Sequence, residues 1–134
     1  MDRPSRAALL ACVALAAILT GWVGFDVLFR GKTFAPTDFL TTRAPWGEAG
    51  ASDASILNRT HQDVIEFDAM HAIAAGESLR RGELLLWNSQ ILCGVASAGD
   101  PQLGTFYPPR LILLRLLPPL RAMDLLTLLH FFGA

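Results

Sequence analysis

Lysine is almost missing from this chain. Of 11 basic residues Lys32 is the only lysine, and 12 acidic residues bring the net charge to −1. Nucleic-acid recognition needs a clustered basic footprint, and that balance argues against one. Cysteine is equally scarce, with Cys12 and Cys93 the only two. Cys12 falls in an apolar run and Cys93 far along the polar part. They have neither CxxC nor Cys/His spacing, which argues against both a disulfide and a metal site. Charge is also absent from residues 7–25, and that absence is the first positive signal.

The hydrophobic share of 52% and mean hydropathy of +0.40 are high for a soluble domain. The excess sits at the two ends, whereas residues 26–83 are polar. Residues 7–25 (AALLACVALAAILTGWVGF) are long enough for a spanning helix. Arg3 and Arg6 precede the run, so the positive-inside rule places the N-terminus in the cytoplasm, and Trp22 suits headgroup level at the far end. A cleaved signal peptide fits less well, because the run is long and ends in Gly-Trp-Val-Gly-Phe-Asp rather than a small-x-small site. The lipoprotein-like Leu9-Leu10-Ala11-Cys12 has too few apolar residues before its cysteine. A buried soluble helix conflicts with hydrophobicity on every side.

Beyond Asp26 the chain is expected to lie outside the cytoplasm. Residues 31–58, with Pro36, Pro45, Gly47 and Gly50, read as loop. Asn58-Arg59-Thr60 is formally a glycosylation sequon in a composition that looks bacterial, and carries little weight. Residues 62–81 read as an amphipathic helix, with Val64, Phe67, Ala74 and Ile65, Ala69, Ile73 at helical spacing. Thr60 and Asp63 fit a capping box, Glu77 and Arg81 an i,i+4 pair, and Gly82 a stop.

Pro108-Pro109 then opens a short apolar segment bearing Arg110 and Arg115. It reads as a helix at the membrane interface, with both guanidiniums snorkelling to phosphates. Pro119 starts a further apolar helix. The last ten residues (LLTLLHFFGA) are apolar apart from Thr127 and His130 and reach only about halfway across a core about 30 Å thick. The chain therefore reads as the N-terminal piece of a larger multi-spanning protein.

The expected fold class is an all-α membrane protein. A cytoplasmic stretch 1–6 leads to a transmembrane helix 7–28 and an extracytoplasmic loop 29–107 containing the helix at about 62–81. An interfacial helix 108–118 and a truncated second transmembrane helix 119–134 complete it.

The string LRRGELLLWN at 79–88, followed by Gly94, Asp100-Pro101-Gln102 and Phe106-Tyr107-Pro108-Pro109, resembles the first outer loop of YfhO-like bacterial membrane proteins. These belong to the GT-C glycosyltransferase superfamily. Pro36-Thr37-Asp38-Phe39-Leu40 and Pro45-Trp46 also fit, so the likeness runs from about residue 36 to the end. Asp63 stands where the family carries an acidic residue upstream. Departures from the pattern are Leu85 and Ser89 in place of proline, Cys93 in place of glycine, and Asp68 in place of an aromatic residue or proline.

The resemblance implies transfer of a sugar from a polyprenyl-phosphate donor to an acceptor at the outer face of a bacterial cytoplasmic membrane. Such chemistry needs a carboxylate to accept the proton of the attacking hydroxyl, and cationic groups to hold the leaving phosphate. Asp63 is then the candidate base, with Glu66 and Asp68 nearby; Trp87, Asn88, Tyr107 and Arg110 are candidate substrate contacts. No cofactor is implied, and a divalent metal is left open. The implied partners are membrane lipid and the lipid-linked sugar, with no nucleic acid.

Each of these residues also has an ordinary role. An Asp in a first helical turn is favoured by the helix dipole whatever its chemistry. Trp87 and Tyr107 suit interface anchoring, Asp100 suits a turn, and His61 and His71 suit idle positions. The competing function is a non-enzymatic, membrane-anchored module whose outer loop binds a cell-envelope partner. A third reading is a gene fragment with no function. On the glycosyltransferase reading, the piece alone is expected to be inactive.

Overall fold

The computed structural model describes residues 5–42, 45, 61–91 and 93–134. The expectations placed on Arg3, Trp46, Gly47, Gly50, Asn58 and Thr60 lie outside the described residues. The fold is mostly helical.

Helix α1 (Arg6–Val23) begins where the Ser5 hydroxyl accepts from the Ala8 N–H at 3.2 Å, the usual N-cap arrangement. Alanine and leucine dominate it, and no proline interrupts it. It is the one helix among the described residues long and apolar enough to cross a membrane, with a mean hydropathy of 1.9 and none of its residues buried. The expected single helix over 7–28 is divided at Gly24, after which α2 (Phe25–Phe29) follows. At Gly24 the neighbouring chain comes close: an added Cβ would stand 2.6 Å from Leu128 Cδ2.

Past α2, the exposed Asp26 carboxylate holds Arg30 at 3.0 Å and Lys32 at 2.6 Å. Exposed pairs of this kind contribute little stability. The anchoring contacts come next. Asp124, only 2% exposed, accepts from the Thr33 hydroxyl and from the Phe34 backbone N–H, both at 2.9 Å. One turn earlier, Arg121 donates to the carbonyls of Val27 at 2.7 Å and Lys32 at 3.1 Å. A 3-10 turn (Thr37–Thr42) follows.

The expected helix over 62–81 is present with a modification. A π-helical segment (Val64–Ala69) runs into α3 (Met70–Arg80), so one turn is wider than an α-helical turn. Ile65, Ala69 and Ala72 form its buried side. Gly82, at φ +84°, ends it in the left-handed cap conformation. The Arg81 guanidinium meets Ser78 Oγ at 3.2 Å and Glu83 at 3.6 Å, so the expected Glu77 pairing gives way to these partners.

The all-α expectation needs one correction. Strands β1 (Trp87–Asn88) and β2 (Val95–Ala96) form a short antiparallel hairpin in the register Trp87 to Ala96 and Asn88 to Val95. Leu84-Leu85-Leu86 is too short to make a helix of its own beyond Gly82, and Asn88 then turns the chain by accepting from the Gln90 N–H at 3.0 Å. Cys93 takes a left-handed φ of +64° and Gly94 a φ of +120°. Gly94 has no side chain to spare, because a Cβ there would lie 2.5 Å from the Trp87 indole.

Two prolines open each of the last helices, α4 (Pro108–Leu116) and, after Pro118, α5 (Pro119–Gly133). Helices α3, α4 and α5 pack around Ala72, Leu114 and Ala122, flanked by Ala75, Leu79, Leu113, Leu117 and Met123. Small residues let the backbones approach: a Cβ on Gly76 would stand 3.3 Å from the Leu114 carbonyl oxygen. The ends of α3 and α4 cap each other. Arg80 donates to the Leu117 carbonyl at 3.3 Å, and Arg115 donates to the Leu79 carbonyl.

Further along α5, Thr127 and His130 find partners of their own. Thr127 donates to the Met123 carbonyl at 3.0 Å. His130 Nδ1 lies 2.7 Å from the Leu126 carbonyl and its Nε2 lies 2.9 Å from the Tyr107 hydroxyl.

Two stability predictions follow from these contacts. Asp124→Ala removes the Oδ1 acceptor of both hydrogen bonds and strands the Phe34 N–H, at a cost of about 2–4 kcal/mol. Asp124→Asn keeps one acceptor oxygen and costs less. Thermal unfolding in detergent micelles measures both, and an alanine variant as stable as the wild type contradicts the assignment. Cys93→Gly, read by the same assay, gains about 1 kcal/mol by relieving a left-handed non-glycine residue; a loss contradicts it.

Candidate functional site

The helix 62–80 carries the three carboxylates proposed from the sequence, two of them exposed and one half-buried. Asp63, in the first turn, is exposed and makes no side-chain cap hydrogen bond. Glu66 is exposed as well, whereas Asp68 is half-buried. Both lie in the π segment, whose wider turn shifts the angular position of residues across it relative to a regular α-helix.

Asp68 is brought together with two residues from distant parts of the chain. The Asp100 carboxylate accepts from the Gln102 N–H at 2.8 Å and sets the 3-10 turn (Pro101–Leu103). That turn holds the Gln102 amide, whose Nε2 stands 3.5 Å from Asp68 Oδ1. Arg110 comes from the first turn of α4, fixed by Pro108 and Pro109, and its guanidinium donates to the Leu103 carbonyl. Asp68, Gln102 and Arg110 line one cleft of about 150 Å³ together with Leu114, Ala122, Met123, Leu126 and Thr127. Its lining is therefore half polar and charged, half apolar side chains of α4 and α5.

Burial dominates the electrostatics of this cleft. It raises the Asp68 carboxyl above its ordinary value, and the Arg110 charge and the Gln102 hydrogen bond only partly oppose that rise. Asp63 adds to the rise and His71 opposes it. Burial likewise lowers the Arg110 guanidinium, against the attraction of Asp68. Desolvation thus outweighs mutual attraction for both partners. Such a pair can bind an anion through Arg110 and exchange a proton at Asp68.

The remaining predicted site residues lie elsewhere. Trp87 and Asn88 form β1, and neither lines the Asp68 cleft. The Tyr107 ring stacks on His130 with centroids 5.5 Å apart, against α5. Arg110 and Arg115, expected to reach headgroup phosphates, each donate to a carbonyl of the chain itself. Among the described residues no group of three or more His, Cys, Asp or Glu side chains is placed to hold a metal.

Sequence reasoning passed over three residues that matter. Gln102 was read only as part of a motif, and nothing local announces that a turn will carry it to Asp68. His71 suits an idle position in the sequence, yet it is buried against the Phe67 ring, with its Nε2 unpartnered among the described residues. Asp124 did carry a signal: a lone acid in an otherwise apolar helix points to a specific partner. Comparison of the chain with protein-family models, with curated proteins and with solved structures gave no match.

A pH dependence follows from Asp68. Its raised pKa means that, from the ordinary value of 3.8 upward, the folded chain keeps a proton the unfolded chain releases. Stability contributed by this group therefore falls as pH rises through that window. Asp68→Asn imitates the protonated form and should melt above the wild type at neutral pH. The gap should close as pH falls through the window to 3.8. Melting curves across pH check this, and a gap that does not vary with pH contradicts it.

Proposed function

We propose that this chain forms the first outer portion of a GT-C-like membrane glycosyltransferase, with the Asp68–Gln102–Arg110 cleft facing a lipid-linked sugar phosphate. The observation that carries the reading is the meeting of Asp68 and Arg110 in a cleft walled by apolar side chains. A polyprenyl-phosphate donor has the matching character: a phosphate for Arg110 and an apolar chain for Leu114, Met123 and Leu126. On this reading α1 crosses a bacterial cytoplasmic membrane with the N-terminus inside, and the cleft lies at the outer surface beside the bilayer. The apolar, unburied character of α1 supports its crossing of a membrane.

The proposed step balances as follows. The acceptor hydroxyl attacks the anomeric carbon, the bond from that carbon to the phosphate oxygen breaks, and the hydroxyl proton passes to Asp68. Arg110 stabilises the departing phosphate. A carboxylate whose pKa is raised by burial is a stronger base than an exposed one, which moves the base role from Asp63 to Asp68. Asp63 then acts as a neighbouring charge that raises the proton affinity of Asp68. The chain alone would bind donor, whereas transfer would need the enclosing helices of a complete enzyme.

Two measurements test the reading. In lipid nanodiscs, a polyprenyl phosphate should bind the wild-type chain and bind Arg110→Gln about tenfold more weakly, as expected for loss of a charge-assisted contact. In a transfer assay on the full reading frame, Asp68→Asn should abolish transfer while donor binding persists, and Asp63→Asn should reduce it only partly. Absence of polyprenyl-phosphate binding overturns the reading and favours a non-enzymatic, membrane-anchored module. Full transfer by Asp68→Asn removes Asp68 from the reaction.

A further inference from the structure

A second cleft, of about 360 Å³, lies between α3 and the chain leading into the hairpin. It shares no lining residue with the Asp68 cleft. Ala74, Glu77, Ser78 and Arg81 recur at helical spacing and supply the α3 wall, and residues 83–90 supply the other. We propose that this cleft is a binding site for a neutral saccharide.

Three features select that ligand class. Trp87 is 59% exposed at the cleft. The Cζ2–Nε1 side of its indole lies close against Gly94, where even a Cβ would come within 2.5 Å of the ring. The ring is therefore packed along one side and still largely exposed, so that it can offer an apolar surface to the C–H face of a sugar. Around it stand groups able to bond hydroxyls in both directions: the amides of Asn88 and Gln90, the Ser78 hydroxyl and the carboxylates of Glu77 and Glu83. Asn88 is the most telling of these. It is only 1% exposed, its Oδ1 is used by the Gln90 N–H, and its Nδ2 has no partner among the described residues. A buried amide hydrogen left unpaired is costly, and a site polar groups surround is where a partner is expected.

Charge narrows the class further. Glu77 and Glu83 outnumber Arg81, and Arg81 is already engaged by Ser78 and Glu83. An anionic sugar would meet net repulsion there, which separates this cleft from the phosphate-binding character of the Asp68 site. The volume falls in the range of small-ligand pockets, about 300–1,000 Å³. The proposal does not rest on the glycosyltransferase reading, because saccharide binding here needs neither donor nor transfer.

The test uses the full chain in nanodiscs and saturation-transfer NMR with four probes: methyl glucoside, methyl mannoside, methyl N-acetylglucosaminide and methyl glucuronide. At least one neutral glycoside should bind with a Kd on the order of millimolar, and Trp87→Ala should weaken it about tenfold. Methyl glucuronide should bind more weakly than methyl glucoside, and Glu77→Gln should narrow that difference. In a Trp22→Phe/Trp46→Phe background, Trp87 emission should respond to the bound glycoside and be insensitive to brominated phospholipid. The proposal is overturned if no neutral glycoside binds at concentrations on the order of tens of millimolar. Full binding by Trp87→Ala, equal binding of the glucuronide, or strong quenching by brominated lipid, which would place the indole in the bilayer as an anchor, also overturns it. Polyprenyl-phosphate binding to the Asp68 cleft is read separately, so failure of one site leaves the other standing.

Discussion

The structure hangs on one buried carboxylate. Asp124 sits in an apolar helix where an unpaired charge is expensive to keep. Thr33 and Phe34 offset part of that cost with two hydrogen bonds to Oδ1, while the buried Oδ2 has no partner among the described residues. Hydrogen bonds to charged groups contribute about 1.5–3 kcal/mol each. Because the donors come from the segment just after the first apolar helix, these bonds fix where the chain leaves that helix. Arg121 reinforces the joint by drawing in the carbonyls of Val27 and Lys32, and Leu128 closes it against Gly24.

Helix α5 therefore has two working sides, separated by helical periodicity. Arg121, Asp124 and Leu128 face the exit of the first helix, while Ala122, Met123 and Leu126 contribute to the Asp68 cleft. A residue that secures the joint is thus one or two positions from a residue that lines the cleft. The α3–α4 pair completes the other wall, held by small-residue packing at Gly76 and by the exchanged arginine caps at Leu79 and Leu117. These caps give the Leu117 carbonyl a side-chain partner and add a second donor to the Leu79 carbonyl, which also accepts from the Gly82 N–H at 3.0 Å. Their presence also explains why Arg115 is turned toward the protein.

Much of the helical content was legible because it depends on local pattern. The apolar run at 7–25, the periodicity between Val64 and Ala74, and the paired prolines before α4 and α5 each mark a helix without reference to the rest of the chain. The hairpin was not legible: two-residue strands carry no alternation to read, and their pairing is decided by Asn88 and the left-handed residues between them. The π segment was equally hidden, since apolar spacing of three to four residues does not distinguish one wide turn. The site was legible in parts. The carboxylates on one helix and Arg110 were apparent, but the choice of Asp68 over Asp63 depends on burial and on Gln102, which arrives from a turn in a distant part of the sequence. Cys93 was not legible as a strained residue either, although it occupies a left-handed position that glycine fills more cheaply.

The central claim is that the Asp124 carboxylate ties the exit of the first helix to α5. Hydrogen exchange at the Phe34 amide, measured in nanodiscs, tests it most directly. The account predicts strong protection at Phe34 in the wild type and its loss in Asp124→Ala, with the amides in the middle of α1 unchanged. A Phe34 amide that exchanges as fast as an exposed loop in the wild type, or that stays protected without Asp124, contradicts it.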